Sequence, residues 1–207
     1  MNPQISIIPI IFGLWVVLTA AQRAPRRAFE FLVIRRDTLR PSKASFADAT
    51  RSLGHAEVRH RGSGHDGYTF VCYSGRDDSG HFQLELRSDD EMGGQERHEV
   101  TEFVMRAAPR HAATNPPCDP AIPESVSVIT DRGIRIGLTR SQVEHLLGAA
   151  TRDSSHVAIY VTDEQIPTVD GMCGSLKGSY YDASSELRIV FAANRVVAMW
   201  GSRADFC

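Results

Sequence analysis

Residues 68–88 read YTFVCYSGRDDSGHFQLELRS, and how their side chains sort between two faces decides what kind of fold the chain makes. Successive side chains of a strand point to opposite sides, so an apolar/polar period of two marks a strand with one covered face. In the second run Phe82, Leu84 and Leu86 fall on one side and Gln83, Glu85 and Arg87 on the other. In the first, Tyr68, Phe70 and Cys72 alternate with Thr69, Val71 and Tyr73. The RDDSG between them has the aspartate, serine and glycine of a tight turn, so the two runs read as a hairpin. Phe70, Phe82, Leu84 and Leu86 are assigned to the covered face, which leaves Thr69, Tyr73, Gln83, Glu85 and Arg87 on the other.

A third strand-like run, HEVTEFVM, starts at His98 after the glycine-rich turn DDEMGG. Upstream lies a helix signal, SFADATRSLGHA, at Ser45–Ala56. It returns as TRSQVEHLLGAA at Thr139–Ala150. In the second copy Thr139 is an N-cap and Gln142 sits at the third helical position, which makes a capping box. Leu138 and Val143 hold the hydrophobic-staple positions, Val143, Leu146 and Leu147 form one apolar face, and Gly148 is the left-handed stop. Three more strand patterns follow, SHVAIYV, ELRIVF and RVVAMWG, with Ala193-Asn194 as a tight turn between the last two. The expectation is an α+β protein of two tandem units, each a short helix packed on an antiparallel β-meander. The first unit would span residues 22–107 and the second 125–207, joined by the proline-rich segment 108–124.

Residues 1–21 are read as a signal peptide. MNPQISIIPIIFGLWVVLTAAQ carries no charge, and its apolar run from Ile5 to Ala20 is short for a membrane span but suits a signal core. Thr19 and Ala21 are the small residues before a cleavage point. Arg23, Arg26 and Arg27 just beyond keep open the alternative of a single uncleaved N-terminal anchor. Export agrees with the cysteines: Cys72, Cys118, Cys173 and Cys207 are even in number and contain no C-x-x-C pair. Two disulfides are expected, Cys72–Cys118 and Cys173–Cys207, each within one half of the chain.

The stretch GIRIGLTRSQVEHLLG (133–148), with the LRIVF and NRVVAM strands after it, resembles the SmpA/OmlA-type outer-membrane assembly lipoproteins. It is also similar to the related fold of the bacterial β-lactamase inhibitor protein, a tandem repeat of such a unit. The resemblance implies an exported binding or scaffolding protein. No cysteine follows the apolar run, so lipid attachment is not expected, and no binding residue is carried over.

The net charge of −2 gives no reason to expect a nucleic-acid partner, which calls for a strongly basic domain. Basic residues do crowd the early chain, with Arg35, Arg36, Arg40, Lys43 and Arg51 among them, and this stretch could touch an anionic membrane surface. GSGHDG, with Gly62, Gly64 and Gly67, spells G-x-G-x-x-G but follows charged EVRHR and precedes a strand. That is the reverse of a dinucleotide site, so no cofactor is expected. His55, His60 and His65 recur every fifth residue, a spacing that suits neither a helix face nor a strand face, and Asp89, Asp90 and Glu91 lack calcium-loop spacing. No metal site and no catalytic residue is assigned. The expected function is non-catalytic binding of a protein or envelope partner through a sheet face. Tyr73, Glu85 and Arg87 are the candidate contacts, since tyrosine and arginine dominate interface hot spots. The alternative is a small periplasmic enzyme or metal-binding protein with a histidine/carboxylate site. A deep pocket gathering His55, His60, His65, Asp89 and Glu91 would mark the alternative; a broad sheet surface would mark binding.

Overall fold

The computed structural model describes residues 28–63, 67–89, 98–108, 118–167 and 180–206. The expected signal segment 1–21, His65, Asp90, Glu91, Cys173 and Cys207 lie outside these residues. In chain order the elements are β1 (Leu32–Ile34), β2 (Asp37–Leu39), α1 (Phe46–Leu53), β3 (Arg59–Arg61), β4 (Tyr68–Asp77), β5 (Gly80–Ser88), β6 (Glu102–Ala107), β7 (Asp119–Ser125), β8 (Val128–Thr130), α2 (Arg140–Leu147), β9 (Arg152–Asp153), β10 (Val157–Pro167), β11 (Tyr180–Ala192) and β12 (Arg195–Phe206).

Nine strands form one sheet in the order β3-β4-β5-β6-β12-β11-β10-β9, with β7 paired in parallel along part of β4. A second, three-stranded sheet has the order β2-β1-β8. Turn chemistry sets the long hairpins. Ala193 and Asn194, between β11 and β12, both take positive φ (46° and 62°), the geometry whose twist matches that of paired strands. At the β4–β5 turn the Asp77 carboxylate accepts the Ser79 N–H at 2.8 Å, and Gly80 takes the φ of +125° that a side chain would resist.

Both helices carry full capping boxes: Ser45 with Asp48, and Thr139 with Gln142. Each is closed by a positive-φ glycine, Gly54 and Gly148. Their buried residues, Phe46, Ala49 and Leu53 in α1 and Val143 and Leu147 in α2, join the same core as the small sheet's Leu32, Ile34, Leu39 and Val128. Opposite them stand Val71, Tyr73, Phe82, Leu84, Leu86, Phe103, Met105, Leu187, Ile189 and Met199 of the large sheet. The small sheet and helices therefore cover one face of the large sheet around a single core.

This corrects the expected fold class. Strands make up 57% of the described chain and helices 11%, so the protein is mostly β and not an α+β tandem of helix-on-meander units. Pairing between strands overrides any separation of the two meanders. β6 of the first half bonds β12 of the second from Glu102↔Ser202 to Arg106↔Ala198, so both contribute to one sheet. Part of the segment expected to be a linker is itself a strand: β7 runs beside β4, with Tyr73 opposite Asp119.

The seam at β6–β12 is closed by aromatic packing. Phe103 and Phe29 meet edge to face at 5.4 Å, both fully buried, over Gly201 of β12. Further along the same face Arg203 is buried, with Nη1 3.1 Å from Glu164 Oε1 and Nε 3.2 Å from Asp205 Oδ1. Two carboxylates around one guanidinium satisfy a charge that would otherwise be costly to bury.

Candidate functional site

The register of β4 against β5 settles which residues share a face. Val71 is opposite Leu86, Tyr73 opposite Leu84 and Gly75 opposite Phe82, and these point into the core. Phe70 is opposite Arg87, Cys72 opposite Glu85 and Ser74 opposite Gln83, and these form the outer face. The expected assignment of β4 is thus inverted. Tyr73 is wholly buried, and its hydroxyl donates to the Gly54 carbonyl at 3.1 Å at the end of α1. Burial also pushes the Tyr73 phenol above its ordinary value. Tyr73 therefore serves the core and offers nothing to a partner. Glu85 and Arg87 lie on the opposite side from the core, but Glu85 is buried there.

Around those two residues the outer face holds a connected set of charges and rings. Glu85, with its side chain 8% exposed, receives Arg87 Nε at 2.5 Å and stands 3.8 Å from Arg61 Nη1. Arg87 Nη1 is 3.6 Å from Glu102. The guanidinium of Arg87 sits 4.5 Å above the Tyr68 ring, and that of Arg61 4.9 Å above Phe70. Phe70 is buried beneath Arg61, and such stacking holds the two guanidinium groups in place. Burial raises the Glu102 carboxyl above its usual range, against the opposing pull of Arg87.

The pattern continues across the seam. Val104 faces Trp200, Trp200 faces Arg188, and Arg188 faces Ile159 in consecutive strands β6, β12, β11 and β10. Arg188 lies 4.3 Å above the Trp200 ring, with Nη2 3.2 Å from Glu186. Beside them Ile159, Val161 and Val190 are half-buried. The outer face thus carries arginines stacked on rings in both halves of the sheet; Phe70, Cys72, Glu85 and Val104 are buried within it, whereas Arg188, Trp200 and Ile159 are half-exposed. The disulfide Cys72–Cys118, with Cα atoms 4.8 Å apart, fastens β4 to the start of β7.

Other expected groups do not assemble. His55 and His60 are exposed, Asp89 is exposed at the end of β5, and no cluster of three or more metal-ligating side chains occurs among the described residues. Sequence reasoning missed Tyr68, Glu102, Arg188 and Trp200. For Arg188 and Trp200 the signal was present: in ELRIVF and RVVAMWG the residues between the core positions are the outer-face ones.

No protein-family model, curated protein or solved structure matches this chain.

Proposed function

We propose that this is an exported, non-catalytic binding protein that holds a folded protein partner of the cell envelope across the outer face of its large sheet. One observation carries the reading: arginines stacked on aromatic rings, each braced by a glutamate, recur on that face from β3 to β11. Arginine, tryptophan and tyrosine supply most interface hot spots, and a side chain already held in place loses less entropy on binding. The face mixes both charge signs with half-buried aliphatic groups, which suits a protein surface better than a single-signed polyanion. Support for export comes from the Cys72–Cys118 bond, since disulfides persist in oxidising compartments. No helix among the described residues is long and apolar enough to cross a membrane. The resemblance of residues 133–148 to outer-membrane assembly lipoproteins points to the same class of role.

The test is site-specific photo-crosslinking in cells that produce the protein. A crosslinker at Trp200 and another at Ile159 should capture the same protein, whereas one at the exposed Glu144 of α2 should not. With that protein purified, Arg188→Ala and Trp200→Ala should each weaken binding by about thirtyfold or more, the scale of a hot-spot truncation. Capture equal at all three positions, or affinity unchanged by both substitutions, would refute the reading.

A further inference from the structure

A second site lies on the other side of the molecule, where the β1–β2 hairpin and the segment after it face α1. A cavity of about 620 Å³ opens there, lined among others by Arg36, Asp37, Arg40, Lys43, Asp48 and Arg51. That size is in the range of sites for small organic ligands.

The two acids are already engaged by their neighbours. Asp48 accepts the Ser45 N–H at 2.7 Å and the Ser45 hydroxyl at 2.9 Å in the capping box, and it also pairs with Arg51. Asp37 accepts the Ser52 hydroxyl at 2.9 Å. Of the cations, Arg51 is taken up by that pair with Asp48. Arg40 pairs with Glu30 at 2.8 Å, but Lys43 stands 3.6 Å from Asp205, and Arg36 has no ion-pair partner among the described residues. Three separate pieces of chain, the hairpin, the β2–α1 connection and the helix, bring these four positive groups to one opening. The hairpin does so against local preference: Arg35 takes a φ of +60° at a two-residue turn where asparagine or glycine is favoured. The result is that Arg35 and Arg36 occupy the exposed tip.

We infer that this cavity binds a phosphate group carried on a small organic body, such as a glycerophosphate. Forked guanidinium donors match phosphate oxygens, and an ammonium adds a point charge beside them. The cavity is far larger than a bare ion, which leaves room for the attached body. The same chemistry is offered by a soluble organophosphate and by the headgroup of an anionic phospholipid. This site stands apart from the outer face of the large sheet and does not depend on the binding role proposed for that face.

The experiment uses the full chain in two arms. Calorimetric titration with glycerol phosphate tests the soluble source. Partitioning to phosphatidylglycerol vesicles, compared with phosphatidylcholine vesicles, tests the headgroup. Arg36→Glu and Lys43→Glu reverse charges on exposed side chains, and circular dichroism checks that both variants fold. Arg152→Glu, on the exposed edge strand β9, controls for general charge. Saturable binding in either arm, weakened by about tenfold or more in both cavity variants but not in Arg152→Glu, supports the site and names the source. Binding in neither arm overturns it. So does binding that the cavity variants leave unchanged, or that Arg152→Glu weakens equally.

Discussion

Gly201→Ala should destabilise the protein substantially, although backbone considerations favour the opposite sign. Gly201 lies inside β12 without a positive φ, and alanine in such a position normally gains about 0.5–1 kcal/mol over glycine. A Cβ there, however, would stand 2.3 Å from Phe103 Cε1, 2.7 Å from Phe103 Cζ and 2.9 Å from Phe29 Cζ. Carbon pairs rest at about 3.5–4.0 Å, so one or both rings must move by about 1 Å. Neither has free space to enter, since both are fully buried and locked edge to face. Overpacking of this kind costs about 1–3 kcal/mol, and loosening the aromatic pair adds about 0.5–1.5 kcal/mol. Set against the backbone gain, a net loss of about 2 kcal/mol is expected, read as a Tm lower by about 4–8 °C. Urea unfolding should show a lower midpoint at unchanged slope. Phe103→Leu in the same chain should relieve the clash, leaving the double variant more stable than the summed single effects by at least about 1 kcal/mol. A Gly201→Ala protein within about 0.5 kcal/mol of wild type, or strict additivity in the double variant, would refute the packing described for the β6–β12 seam.

Replacing Cys72 and Cys118 by serine opens a loop of sequence separation 46 and should cost about 2–4 kcal/mol in denaturant unfolding. Ser45→Ala removes the cap of α1 and should cost about 1 kcal/mol by the same assay. The Asp48 carboxyl, held below its usual range first by the Ser45 N–H, adds stability above its unfolded value, and this is lost as the pH falls through its folded one. Asp48→Asn should flatten that acid limb of the stability curve. Tyr160 is pushed up to about 12, chiefly by burial. The unfolded chain therefore loses this proton first, and stability should fall between about pH 10 and about pH 12. Tyr160→Phe should reduce the slope there, as measured by urea midpoints across that range. Arg203→Ala would leave Glu164 and Asp205 without their buried guanidinium and should cost about 3–5 kcal/mol in thermal or urea unfolding.

Much of the local structure was legible because local chemistry dictates it. A capping box needs only residues three apart, so both helix starts could be read directly, and so could the Ala193-Asn194 turn and the strand runs. Cys72 and Cys118 could be paired because they fall in the same half of the chain. Glu85 and Arg87 could be placed opposite Leu84 and Leu86 because β5 alternates cleanly between apolar and charged residues.

The faces of β4 could not be read in this way. Tyr68, Phe70 and Cys72 are as apolar as Val71 and Tyr73, so alternation alone supplies no preference. Only the register against β5 turns Tyr73 inward and leaves Phe70 outside beneath Arg61. The merger of the two meanders was equally hidden, since the β6–β12 bonds join backbone groups that every sequence possesses. The parallel pairing of β7 was masked by its prolines. The sequence by itself determined the two capped helices, the Ala193-Asn194 turn and the longer strand runs, because those depend on neighbours within a few residues. The tertiary structure alone decided how the strands join and which side chains of β4 turn inward, because register and sheet order depend on residues far apart in the chain.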